Sequence, residues 1–107
     1  MTWVEVWSSD EFVVKPESFQ PHIEVDASNL SIPSTAKVGS TVYVGDIAIK
    51  GTSDVAVSVR AETIVDGQVA HYREWDGISR GKVVGYVGEF TMPDKEVKVQ
   101  IKVYEKV

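Results

Sequence analysis

The last part of the chain alternates apolar and polar side chains with a period of two. The apolar positions are Val97, Val99, Ile101 and Val103. The polar positions between them, which we expect to be exposed, include Lys98, Gln100 and Lys102. Successive side chains of a β-strand point to opposite faces of its sheet. The pattern therefore predicts that the chain ends in an antiparallel sheet with one buried and one solvated face.

Residues 55–62 have the same period and predict a central strand. The Asp66-Gly67 pair is the strongest short hairpin signal in the chain, and it predicts a tight turn into a strand over residues 69–75. Short connections then lead through residues 83–90 to the final strand, so we expect the last three strands to form a meander. Strands recurring about every ten residues predict an all-β, antiparallel β-sandwich. The side chains expected on its inner faces include Val57, Val59, Val99 and Ile101.

Two apolar patterns change register within what would otherwise be one strand. Residues 23–27 carry apolar side chains at odd positions, whereas Leu30 and Ile32 continue at even positions, with the change at Ser28-Asn29. A similar change falls at Gly45-Asp46. One strand cannot present both sets to the same face, so we predict a bulge, a kink or a crossing between sheets at both places.

The N-terminal part is predicted to form a separate element. Residues 2–7 and 12–15 are short apolar segments on either side of a polar turn, which predicts a β-hairpin. We therefore expect an N-terminal hairpin arm and linker over residues 1–20, followed by the sandwich over residues 21–107. An isolated hairpin is marginal in water, so the arm must pack on something.

Composition narrows the function classes. The chain has 107 residues, enough for one domain with its own core, and it contains no cysteine, which excludes disulfide bonds and thiolate metal sites. Its net charge of -5 disfavours binding to nucleic acid or to an anionic membrane surface.

No apolar run approaches the ~20 residues that a spanning helix needs, so membrane insertion is not expected. The first residues lack the basic and apolar regions of a signal peptide.

Six short features occur in a fixed order within residues 30–104. They are Leu30-Ser31-Ile32-Pro33, Val38-Gly39, the strand from Val55 to Val65, Asp66-Gly67, Phe90-Thr91-Met92-Pro93 and the final strand from Val97 to Val103. Together they resemble the immunoglobulin-like sandwich modules of bacterial and archaeal surface proteins, in particular the group named for cell-adhesion-related domains. The chain departs from that pattern at Lys50-Gly51-Thr52-Ser53, where the family usually has Asn-x-Gly. The resemblance implies an immunoglobulin-like fold and a spacer, adhesive or binding role without catalytic residues.

Candidates for chemistry are few. Of the two histidines, His22 lies in a linker and His71 on a strand, and neither is accompanied by a cysteine or a Gly-x-Ser-x-Gly elbow. We predict no catalytic residue and no cofactor. Loop aspartates such as Asp66 and Asp76 lack the dense spacing of a calcium-binding loop, and turn chemistry explains them, so no metal site is predicted.

The aromatic residues are the most suggestive group, because Trp and Tyr supply large amphipathic contact areas. Trp3 and Trp7 are predicted to share one strand face, and they either pack the arm onto the sandwich or form a surface for another subunit. Trp75 is expected to help fill the core. The candidate interaction residues are Trp3, Trp7, Tyr72 and Trp75.

The expected function is that of a non-catalytic structural or protein-interaction module. We expect a protein partner or self-association through the N-terminal arm. Two contexts fit these expectations: a virion or phage structural subunit, and a domain of a cell-surface protein. The alternative is a carbohydrate-binding module in which exposed aromatics such as Tyr72 and Trp75 hold a glycan.

Overall fold

The fold is all-β in a computed structural model that describes residues 2–10 and 20–106. Within these ranges there is no helix, and every hydrogen-bonded pair of strands is antiparallel. The seven strands are β1 (Trp3–Ser8), β2 (Ile23–Asp26), β3 (Thr41–Gly51), β4 (Val57–Val65), β5 (Gln68–Ile78), β6 (Val83–Thr91) and β7 (Val99–Lys106).

The strands form two sheets around one hydrophobic core. The four-stranded sheet has the order β1-β7-β4-β5, and the three-stranded sheet has the order β2-β3-β6. Fully buried side chains come from both, for example Ile47 and Tyr86 from the three-stranded sheet and Val59 and Ile101 from the other. Two antiparallel sheets that share a core are consistent with a β-sandwich.

The Asp66-Gly67 hairpin between β4 and β5 is confirmed, and both residues have positive φ angles, 50° and 81°. The connections before and after β6, by contrast, differ from the prediction. The meander is wrong, because β6 lies in the opposite sheet from β5 and β7. Packed sheets lie about 10 Å apart, a distance that a few residues span as easily as they close a hairpin. Short loops therefore did not distinguish a meander from strands that cross between sheets.

Both predicted changes of register are confirmed. β2 ends at Asp26, and the chain turns there, with the backbone N–H of Leu30 donating to the carbonyl of Ala27 at 3.0 Å. On β3 the pairing with β6 shifts between Gly45 and Ile47. The shift on β3 keeps apolar side chains from both halves of the strand, such as Val44 and Ile47, on the core side. After the turn that follows β2, Leu30 packs against the core but Ile32 is exposed.

The burial of the final strand follows the prediction only in part. The predicted core residues that are buried are Val57, Val59 and Ile101. Val99 is half-buried, and of the polar residues predicted to be exposed only Lys98 is fully so. Gln100 and Lys102 are half-buried, because β1 extends the sheet beyond β7 and shields them. The second strand of the predicted N-terminal hairpin, residues 12–15, lies outside the described residues.

Candidate functional site

β1 lies along the outer edge of β7, and this pairing is the candidate interaction site. Trp3 is opposite Lys106 at one end, and Ser8 is opposite Lys102 at the other. On its other side β7 pairs with β4. Among the described strands, β1 makes extensive contacts with β7 alone.

A shift of register within β1 separates the two tryptophans. The pairing with β7 changes between Glu5 and Trp7, so Val6 is an extra residue. Trp3 lies on the outer face of the sheet, with the ammonium of Lys106 5.5 Å from its ring centre. Trp7 packs against the core. The prediction that the tryptophans share a face was therefore wrong, because the bulge reverses the alternation.

Polar contacts fix the end of β1. The backbone N–H of Ser9 donates to the carbonyl of Ile101 at 2.9 Å, and the N–H of Ile101 donates to Oγ of Ser9 at 2.9 Å. One residue later, the side-chain amide of Gln100 donates to Oδ1 of Asp10 at 2.7 Å. These contacts extend the pairing past the strand and set its register.

On the outer face of the four-stranded sheet, basic and acidic side chains of neighbouring positions form ion pairs with one another. The ammonium of Lys102 on β7 lies 2.9 Å from a carboxylate oxygen of Glu5 on β1. The guanidinium of Arg60 on β4 lies 2.7 Å from Glu62 and 3.2 Å from Glu74. The Lys102–Glu5 pair joins β1 to β7 through side chains as well as backbone.

Tyr72 and Trp75 lie on opposite faces of β5 and do not form one platform. Tyr72 is exposed on the outer face, and the guanidinium of Arg60 covers its ring at 3.9 Å from the centre. Trp75 points to the core, where it meets Tyr86 edge to face with ring centres 6.2 Å apart. The expectation that Trp75 helps fill the core is confirmed. The four candidate aromatics are therefore distributed over both faces of the sheet.

The inner face of β7 is the most buried part of the site. Ile101, Val103 and Glu105 are all completely buried there. The carboxylate of Glu105 accepts a hydrogen bond from the backbone N–H of His22 at 3.2 Å and lies 2.9 Å from Nδ1 of the same residue. His22 stands just before β2, so this contact ties the second sheet to β7.

The second histidine belongs to a polar cluster under the edges of β5 and β6. Nδ1 of His71 and Oγ1 of Thr63 each lie 2.8 Å from the hydroxyl of Tyr86. Burial raises the pKa of Tyr86 above its ordinary value of 10.0. Nε2 of His71 lies 4.0 Å from Glu89 beside an open groove of about 640 Å³. The cluster fixes a buried hydroxyl between the sheets.

The two aspartates that were expected in loops accept hydrogen bonds from protein groups, and Asp76 lies within β5 rather than in a loop. Asp66 accepts the backbone N–H of Lys98 at 2.9 Å, and Asp76 accepts the hydroxyl of Ser58 at 2.6 Å. Within the part of the chain that the structure describes, no group of three or more metal-ligating side chains comes together. In the same ranges no helix has the length and apolar character needed to cross a membrane.

No protein-family model matches the chain, and no curated protein or solved structure matches it significantly.

Proposed function

We propose that this chain is a non-catalytic structural module that joins protein subunits by β-strand pairing. Its fold would be an immunoglobulin-like β-sandwich. The observation that carries the proposal is the place beside β7. β7 is a core strand of the four-stranded sheet, and its neighbour on one side is a strand from the distant N-terminal region of the chain.

The strand order supports the proposed fold. Counted from β2, the first, second and fifth strands form one sheet, and the third and sixth are neighbours in the other. Strands A, B and E and strands C and F have this distribution in immunoglobulin-like sandwiches. The place beside strand F belongs to strand G in that fold, and here β1 fills it.

The place beside β7 has the properties of a strand-binding site. Its inner side presents apolar side chains and its edge presents backbone donors and acceptors, which give affinity to an added strand. Trp7 enters the core and Glu5 meets Lys102, so side chains add selectivity. An empty edge here would leave a row of backbone N–H and C=O groups along β7 unpaired, and such a row is a template for pairing with another strand.

The biological contexts that fit such a module are a virion or phage subunit and a cell-surface protein domain. Both are built from modules held together by non-catalytic contacts. The carbohydrate-binding alternative has less support from the geometry. Arg60 already covers one face of Tyr72, and Trp75 packs inside the sandwich, so the predicted pair does not offer a sugar two neighbouring open rings.

A peptide experiment tests whether the place beside β7 binds a β-strand. The full-length Trp7→Ala chain, whose own β1 is weakened, is mixed with a synthetic peptide of residues 2–10. The wild-type peptide should fill the place beside β7 and raise the Tm, with a shift that grows with peptide concentration by mass action. A control peptide carrying Trp7→Ala should give no shift.

The proposal is wrong if the Trp7→Ala chain is folded and neither peptide changes its Tm. If the Trp7→Ala chain does not fold, the same two peptides, each carrying a label that reports binding, are added to the unmodified chain. Saturable binding of the wild-type peptide alone then supports the proposal, and equal or absent binding of both overturns it.

A further inference from the structure

We infer that the place beside β7 accepts β1 from a second copy of the same chain when copies are crowded together. This inference rests on the proposed function and names its partner. Every contact that β1 makes with β7 is available on each copy, so exchange replaces one set of contacts by an identical set. The exchange therefore needs no new complementary surface.

The connection after β1 is long enough for exchange. β1 is held at its end by the Asp10–Gln100 contact, and the chain is held again by His22 at Glu105. Glu105 follows Gln100 by five residues on the same strand, a distance of about 17 Å. The chain from residue 10 to residue 22 reaches about 40 Å when extended. It therefore has more than twice the length that pairing within one copy requires.

The same reach suffices for a neighbouring copy. The two shorter dimensions of the molecule are 25 and 24 Å. A connection of about 40 Å can therefore carry β1 across a copy packed side by side while His22 stays on its own Glu105. Because His22 stays bound to its own Glu105, exchange transfers β1 to the second copy and leaves the rest of the sandwich unchanged.

Concentration decides which pairing prevails. A strand tethered to its own site by a connection of this length meets that site at an effective concentration in the mM range. Because the contacts are identical, exchange competes with self-pairing only when the copies themselves approach that concentration. A dilute solution should therefore contain monomers, and an ordered array of copies should contain exchanged strands.

Disulfide trapping tests this in the full-length chain, which has no cysteine of its own. Trp3 and Lys106 are directly opposite, within the separation that a disulfide bridges. A Trp3→Cys chain is mixed with a Lys106→Cys chain at ~1 mM under mild oxidation. The mixed disulfide should form roughly ten times faster than with a Tyr43→Cys chain. Tyr43 is 63% exposed on the other sheet, so that chain measures random collisions.

Two further chains separate the outcomes. The double variant Trp3→Cys, Lys106→Cys should close its disulfide within one dilute chain, which verifies the register. Adding Trp7→Ala to the Trp3→Cys chain should reduce the mixed disulfide to the Tyr43→Cys level, because the core anchor is lost. Suppose that the double variant closes and the peptide of residues 2–10 binds, but the Trp3→Cys and Lys106→Cys chains form the mixed disulfide no faster than the Tyr43→Cys control. Exchange between copies is then wrong, whereas the proposed binding of a strand beside β7 is supported. If neither the peptide binds nor the double variant closes, the proposed function itself is wrong.

Discussion

Nδ1 of His22 lies 2.9 Å from a carboxylate oxygen of Glu105, and Glu105 is completely buried on the inner face of β7. The same carboxylate also accepts the backbone N–H of His22. A buried carboxylate is costly unless it is hydrogen-bonded, and this one obtains its partners from a residue 83 positions away in the chain. The pair therefore connects the start of the three-stranded sheet to β7.

Removing this carboxylate should destabilise the fold. Glu105→Ala should lower the free energy of unfolding by about 2–4 kcal/mol, because the His22 donors lose their acceptor and a cavity remains. Glu105→Gln should cost clearly less, because the amide keeps the volume and one acceptor oxygen. Urea unfolding followed by tryptophan fluorescence measures both. Equal costs for the two variants would show that the hydrogen bonds contribute nothing beyond side-chain volume.

Gly88 on β6 allows the sheets to approach closely at Thr63. A Cβ atom at position 88 would overlap the Thr63 side chain and lie 3.3 Å from the hydroxyl of Tyr86. Gly88→Ala should therefore lower the free energy of unfolding by about 1–3 kcal/mol through overpacking. The matched control is Gly85→Ala on the same strand, where the nearest atoms lie at 4.0 Å and the cost should be within about 0.5 kcal/mol. Thermal unfolding of both variants measures these costs. An unchanged Tm for Gly88→Ala would contradict the close approach of the two sheets at Gly88 and Thr63.

The hydroxyls of Thr63 and Tyr86 should be energetically coupled. Each single variant, Thr63→Val or Tyr86→Phe, leaves the other hydroxyl short of a buried partner and should cost about 1–2 kcal/mol. The double variant should cost less than the sum, because both polar groups are then removed together. A double-mutant cycle from urea unfolding gives the coupling energy. Strict additivity would mean that the 2.8 Å contact is not a stabilising hydrogen bond.

Asp66 should contribute to stability in a pH-dependent way. The backbone N–H of Lys98, assisted by the charge of Lys95, holds the pKa of the Asp66 carboxyl below its ordinary value of 3.8. A depressed pKa in the folded state gives stability that is present above pH 3.8 and is lost as the pH falls through the lower, folded value.

The Asp66→Asn variant tests this dependence. Asparagine tolerates the positive φ at this turn position, so the hairpin geometry is kept. The difference in urea midpoint between the wild-type and variant chains should be largest near neutral pH and should shrink below pH 3.8. A difference that stays constant down to the acid limit would mean that Asp66 acts only through turn geometry.

Alternation predicted the strands well, because side-chain direction along a strand is a local property. The breaks at Ser28-Asn29 and Gly45-Asp46 followed from the same property. The bulge at Val6 could not be predicted, because residues 3–7 are apolar on both sides of Glu5, so their pattern does not define a register that could be seen to break. Sheet membership was also beyond local patterns, because packing between distant strands decides whether a short connection closes a hairpin or crosses to the other sheet.

Part of the site did leave a signal that the sequence interpretation missed. Glu105 continues the odd-numbered series of Val99, Ile101 and Val103, so its position in the alternation places it inside. A charged residue at an inward position requires a buried partner. No local pattern could name that partner as His22, because the contact forms only when the two sheets pack.

The antiparallel pairing of β1 with β7 also determines how the module would respond to mechanical tension. Trp3 lies opposite Lys106, so the start of the first strand and the end of the last strand emerge at the same end of the pair. A pulling force between these ends would load the backbone hydrogen bonds one after another and open them like a zipper. Terminal strands aligned in parallel would share the load in shear. Such a module yields easily along its own chain and is better suited to being held sideways by neighbours than to serving as a link in a stretched stalk.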